Sequence, residues 1–81
     1  MKVTVQFFSY LRELTGCALV TQEITASSTL GSLHDQLMSR FPKLSPMKKS
    51  TLLAVGGDYQ PRDHVLKDGD EVSLFPPVQG G

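Results

Sequence analysis

The chain has 81 residues, which is room for one domain with one core and little room for a deep catalytic cavity. Lys plus Arg total 8 and Asp plus Glu total 8, so the formal net charge is zero. That argues against a nucleic-acid binder, which needs a basic face to neutralise phosphates. The one cysteine, Cys17, excludes an internal disulfide framework. No stretch is apolar enough for a membrane span or a signal peptide, so neither a membrane nor a nucleic acid is an expected partner, and the expected location is cytoplasmic.

Residues Lys2 to Ser9 alternate, with Val3, Val5 and Phe7 on one face and Lys2, Thr4, Gln6 and Phe8 on the other. Period two with β-branched residues predicts a strand. Phe8 is the exception, a large ring on the otherwise polar face. Leu11 and Leu14 followed by Gly16 predict a short helical turn closed by a left-handed glycine. Ala18 to Ile24 reads as a second strand, antiparallel to the first.

Leu30, Leu33, Leu37 and Phe41, with Met38 alongside, form a helical stripe. Thr29 or Ser28 is placed to cap its start. Pro42 stops it, because a proline pushes the preceding residue out of the helical region. Lys43 to Ser50 is expected to be a loop. Thr51 to Val55 reads as a third strand, Gly56-Gly57-Asp58 as a turn, and Tyr59 as the start of a short fourth strand interrupted by Pro61. Asp68-Gly69-Asp70 is a further turn, and Glu71 to Phe75 is the last strand. There Val72 and Leu74 point one way, Ser73 and Phe75 the other. This order predicts an α+β domain, a mixed sheet of four or five strands with one helix across one face. One helix cannot cover both faces, so the other face meets water or a partner.

Catalytic constellations are missing. His34 and His64 show no metal-ligand spacing; they read as a solvated helix histidine and a turn histidine. Cys17 lacks a second cysteine at redox spacing and reads as a small filler beside Gly16. Gly56-Gly57 lacks the lysine and hydroxyl residue of a phosphate loop.

The ending differs. Pro76 and Pro77 donate no backbone N–H and stop the sheet ladder. Val78, Gln79, Gly80 and Gly81 then read as a flexible tail, 78–81, reaching about 13–14 Å when extended. Glycines can thread a narrow channel because they lack Cβ atoms. Such a tail presents its terminal carboxylate with little steric cover. A carboxylate has no good leaving group; a mixed anhydride with AMP would supply one, and a sulfur nucleophile could then form a thiocarboxylate. A merely frayed terminus is the alternative.

Three segments together, FFSYLREL at 7–14, DGDEV at 68–72 and FPPVQGG at 75–81, resemble the small subunits of molybdopterin synthase, a branch of the ubiquitin-like sulfur-carrier family. The resemblance spans essentially the whole chain. It implies a β-grasp fold with the first and last strands adjacent. It implies that an ATP-dependent activating enzyme adenylates Gly81 and that a sulfur donor converts the adenylate to a thiocarboxylate. The tail would then enter the large synthase subunit, which delivers sulfur to cyclic pyranopterin monophosphate; two carriers and two large subunits make a heterotetramer. The catalytic residues of the synthase are then expected on the large subunit, and no cofactor or metal is expected on this chain. With the two strands adjacent, Phe8 and Phe75 would form an apolar patch, extended by Tyr59 and rimmed by Arg12, facing the partner. Pro76, Pro77, Val78 and Gln79 would lead the tail into it. A carrier serving thiamine thiazole, a ubiquitin-like modifier joining Gly81 to lysines, and a passive binding module stay open as alternatives.

Overall fold

The computed structural model describes residues 1–76. Strand β1 (Lys2–Phe7) leads through helix α1 (Leu11–Thr15) to strand β2 (Leu19–Glu23). Helix α2 (Leu30–Arg40) and a 3-10 helix over Pro42–Met47 come next. Strands β3 (Leu52–Val55), β4 (Asp58–Tyr59) and β5 (Glu71–Phe75) complete one sheet in the order β2-β1-β5-β3-β4. The first and last strands lie side by side and parallel at its centre; β2, β3 and β4 pair antiparallel with their neighbours.

One face of this sheet makes the core. Val3, Val5 and Phe7 of β1, Val72 and Leu74 of β5 and Leu53 of β3 meet Leu30, Leu33 and Leu37 of α2, with Leu11, Leu44 and Leu66 closing the sides. Phe41, partly exposed, meets Phe7 in a T-shaped pair at 5.6 Å and 80°. The alternation in β1 and β5 and the stripe in α2 therefore point to one shared apolar volume, whose burial supplies most of the stabilisation.

Local chemistry fixes the ends. Thr29, not Ser28, caps α2: its hydroxyl accepts from the Ser32 N–H at 3.2 Å. Ser28 instead turns its hydroxyl back to the Thr25 carbonyl at 2.7 Å. Gly16 closes α1 at φ 79°, as its position implied. Gly56 and Gly57 take φ of 59° and 92°, the pair of positive values that a two-residue turn needs to match the twist of the β3–β4 hairpin.

Three details depart from the sequence reading. The 43–50 segment is not simply a loop: Pro42 ends α2 and also opens the 3-10 helix, because its fixed φ suits a first helical position. That turn buries Leu44. Strand β1 stops at Phe7, since Ser9 takes a left-handed φ of 57° and bends the chain into α1. His34 is not solvated; it is 1% exposed, because α2 lies deep enough for the flank of its apolar stripe to be covered by the 62–66 segment.

Candidate functional site

Residues paired across neighbouring strands share a face of the sheet. The register therefore sorts the outer face directly. Gln6 lies beside Leu19 and Ser73, Ser73 beside Ala54, and Ala54 beside Tyr59. One step along, Leu52 pairs with Phe75, and the Phe8 N–H bonds the Leu74 carbonyl at 3.1 Å, which brings Phe8 alongside Phe75. No helix among the described residues covers this side.

The two phenylalanines meet. Their centroids are 4.6 Å apart with planes 15° from parallel, a stacked pair. Tyr59 adds its ring to Phe75 at 6.0 Å and 69°, an edge-on contact. Such pairs contribute roughly 0.5–1.5 kcal/mol each beyond area burial. The rings still face outward: Phe8 is 37% exposed, Tyr59 67%, and Phe75 partly so. Leu19, 53% exposed, extends the same surface across β2. The result is an apolar platform where β5 ends, with half-buried Pro76 as the next residue.

Arg12 sits at the rim. It lines a shallow depression of about 220 Å³ with Gln6, Phe7, Phe8, Ala18 and Leu19, and its Nε donates to the Ser9 carbonyl at 3.4 Å. The structure thus brings together Phe8, Phe75, Tyr59 and Arg12, four of the residues singled out in the sequence. Pro77, Val78, Gln79, Gly80 and Gly81 lie outside the described residues. Leu52 and Leu19 also belong to the platform, beyond the residues singled out in the sequence. Leu52 opens an unbroken apolar run, so alternation gave no face; for Leu19 the signal was present, as the odd positions of β2 are its solvent-facing set.

Away from this face, the described residues hold no cluster of three or more histidine, cysteine or acidic side chains able to bind a metal. Cys17 is partly buried against the core with its thiol near the Thr15 hydroxyl, a packing role. No helix among the described residues is long and apolar enough to cross a membrane.

A different cluster lies behind the core-facing helix. Arg62 donates from Nη1 to His34 Nδ1 at 2.8 Å, and from Nη2 to the Gly31 carbonyl at 3.1 Å and Asp35 Oδ1 at 3.0 Å. Arginine can only donate, so Nδ1 must accept and His34 carries its proton on Nε2. That Nε2 is buried and has no partner among the described residues. Burial, then the Arg62 charge, lower the His34 pKa from 6.5 to about 4, with Asp35 opposing and Lys48 assisting. For Asp35, burial pushes the carboxyl up, but the Arg62 hydrogen bond and the Lys48 and Arg62 charges outweigh it and leave it below its ordinary value.

With this geometry in view, the comparisons with known proteins are specific. The model of the ThiS family matches residues 5–81. The chain belongs to the ThiS family. Within it, the chain is similar to the molybdopterin synthase sulfur carrier subunit of Arabidopsis thaliana, with 30% identity over 81 residues, covering 100% of this chain and 84% of the relative. The corresponding subunit of Chlamydomonas reinhardtii is 34% identical over 83 residues, with 100% of both chains covered. Among solved structures, small archaeal modifier protein 1 of Haloferax volcanii superposes with a TM-score of 0.87 and 25% identity, covering 95% of this chain and 98% of that one. A protein–protein complex of subunits 1 and 2 of the molybdopterin-converting factor from Helicobacter pylori contains a chain that matches with a TM-score of 0.70 and 26% identity, covering 100% of each. The five-stranded mixed sheet with α2 against one face is therefore the ubiquitin-like β-grasp fold.

Proposed function

We propose that this protein is the sulfur carrier of molybdopterin synthase, working through the carboxylate of Gly81. The observation that supports this best is the aromatic platform of Phe8, Phe75 and Tyr59, left open at the end of the strand from which the Gly-Gly segment continues. Exposed apolar surface of this kind marks an interaction site. The sulfur-carrier names of the relatives and the two-subunit complex of the structural neighbour favour the large synthase subunit as the occupant.

The chemistry is set by the residue types. The Gly81 carboxylate attacks the α-phosphorus of ATP on an activating enzyme, pyrophosphate leaves, and an acyl-adenylate forms. Sulfur at the sulfide level from the donor then attacks the acyl carbon and AMP departs, leaving a thiocarboxylate; where the donor is a persulfide, a thiol reductant cleaves the acyl disulfide formed first. Gly80 and Gly81 offer no side chain to obstruct either step. Seated on the large subunit, in an assembly of two carriers and two large subunits, the tail gives its sulfur to cyclic pyranopterin monophosphate. In the scheme, Pro76, Pro77, Val78 and Gln79 are the residues of the chain that link the platform strand to the reacting glycines. This chain binds no cofactor of its own in the scheme; ATP belongs to the activating enzyme, the reacting residues to the large subunit, and the cycle to the cytoplasm.

A reconstituted synthase tests the scheme. With the large subunit, activating enzyme, ATP and a sulfur donor, the full chain supports molybdopterin formation, and a chain lacking Gly81 does not. Equal product from both would refute it. The likeness to an archaeal modifier protein favours one second reading, in which Gly81 is joined to target lysines; isopeptide-linked conjugates in the native cell would support that reading instead.

A further inference from the structure

Strand β4, which presents Tyr59, is held to the sheet on one side only, while β3 is paired along its length with β5. The β4 ladder has two residue pairs, Ala54 with Tyr59 and Val55 with Asp58, extended by one bond from the Gln60 N–H to the Leu53 carbonyl at 3.2 Å. The turn before it is Gly56-Gly57; the Gly56 N–H is tied to the Glu71 carbonyl at 2.9 Å, but the glycine pair gives β4 itself little stiffness. Tyr59 itself is largely exposed and touches the platform by one edge-on contact. Left to these interactions, the outermost ring of the platform would sample several positions.

The segment after β4 is tied to helix α2. Three residues beyond Tyr59, the Arg62 guanidinium reaches three acceptors spaced along α2: the Gly31 carbonyl, His34 Nδ1 and Asp35 Oδ1. The Gly31 N–H returns a bond to the Arg62 carbonyl at 2.8 Å. The His64 carbonyl accepts from the Leu30 N–H at 2.8 Å, so this segment also satisfies the open first turn of the helix. The approach is close: a Cβ on Gly31 would lie 3.0 Å from Arg62 Cβ and 3.1 Å from its carbonyl oxygen. A neutral imidazole is part of the fork, because only that form can accept from Arg62.

We propose that Arg62 is a positioning residue for partner binding: by latching the chain after β4 to helix α2, it fixes Tyr59 on the aromatic platform. This rests on the reading of that platform as the docking face for the large subunit. The latch acts through preorganisation, so its loss is felt as the cost of ordering one mobile aromatic residue on binding, about three- to tenfold in Kd. The guanidinium is not replaceable by a lysine, which keeps the charge but not the planar fork.

The test is a double-mutant cycle on the full chain, measuring Kd for the large subunit by calorimetry at pH 7.5. Arg62→Ala and Arg62→Lys each weaken binding about three- to tenfold, Tyr59→Ala weakens it, and Arg62→Ala has no further effect in the Tyr59→Ala background. Amide exchange at Gln60 accelerates in Arg62→Ala while the core amides of Val5 and Val72 stay protected, which separates a freed hairpin from an unfolded domain. Wild-type affinity in Arg62→Ala, full rescue by lysine, or equal effects of Arg62→Ala with and without the Tyr59 ring would each overturn the proposal. A silent Tyr59→Ala beside a damaging Phe75→Glu overturns the latch alone. If Phe75→Glu is silent as well, the docking face itself is wrong.

Discussion

Acidification should weaken this fold through His34, and the size of the effect is set by its surroundings. The ring is buried, with Arg62 and Lys48 as neighbouring cations and Asp35 as the neighbouring anion among the described residues, and its pKa falls from 6.5 to about 4. The neutral form is thus the native one, and the unfolded chain binds the extra proton. The stabilisation is fully present above pH 6.5 and is lost as pH falls from there towards about 4. At 1.36 kcal/mol per pKa unit, the loss is about 2 kcal/mol at pH 5 and about 3 kcal/mol at pH 4. Domains of this size have roughly 4–12 kcal/mol in total, so the loss is a large share. Urea unfolding from pH 7.5 to pH 4 measures it, with His34→Gln as the control, since glutamine offers Arg62 an acceptor oxygen but does not titrate. The wild type should fall more steeply than the variant by about 2 kcal/mol at pH 5. Parallel curves, or an imidazole titrating near 6.5 by NMR, would refute the assignment of His34 as a buried neutral acceptor.

Other consequences are simpler to state. Phe75→Glu puts a carboxylate in the middle of the platform, and loss of a central aromatic anchor costs about 2 kcal/mol or more, so large-subunit affinity should drop at least about 30-fold while circular dichroism stays native. Gly31→Ala gains helix propensity but meets Arg62 at 3.0 Å; the contact with a hydrogen-bonded backbone should prevail and lower stability by about 1–2 kcal/mol in urea unfolding. An unchanged or raised stability would mean that the 62–64 segment yields easily. Thr29→Ala removes the cap on the Ser32 N–H and should cost about 1 kcal/mol in the same measurement.

The parts of the molecule legible in its sequence are those governed by short periods. Val3, Val5 and Phe7 against Phe8, and Val72 and Leu74 against Phe75, assign their faces by alternation alone, and the stripe from Leu30 to Leu37 does the same for α2. That Phe8 and Phe75 are neighbours needed the resemblance, because parallel pairing of β1 with β5 leaves no local mark in a chain that separates them by 67 positions. The Arg62–His34 bond is invisible in sequence for a similar reason: its partners are 28 residues apart, and an arginine in a polar turn looks solvated until the turn is folded onto the helix. Pro42 reads as a stop and conceals its second role as a start, since the same fixed φ serves both. Leu52 is lost in the apolar run Leu52–Val55, where burial on one face and exposure on the other look alike in sequence.

Sulfur held as an acyl group at the last glycine is the claim on which the functional account turns. Intact-mass spectrometry of the chain after incubation with ATP, the activating enzyme and a sulfur donor tests it directly. The account predicts a gain equal to one oxygen-to-sulfur exchange, mapped by fragmentation to Gly81 and abolished when ATP is omitted. An unaltered mass, with an enzyme that demonstrably forms the adenylate of another carrier, would contradict it.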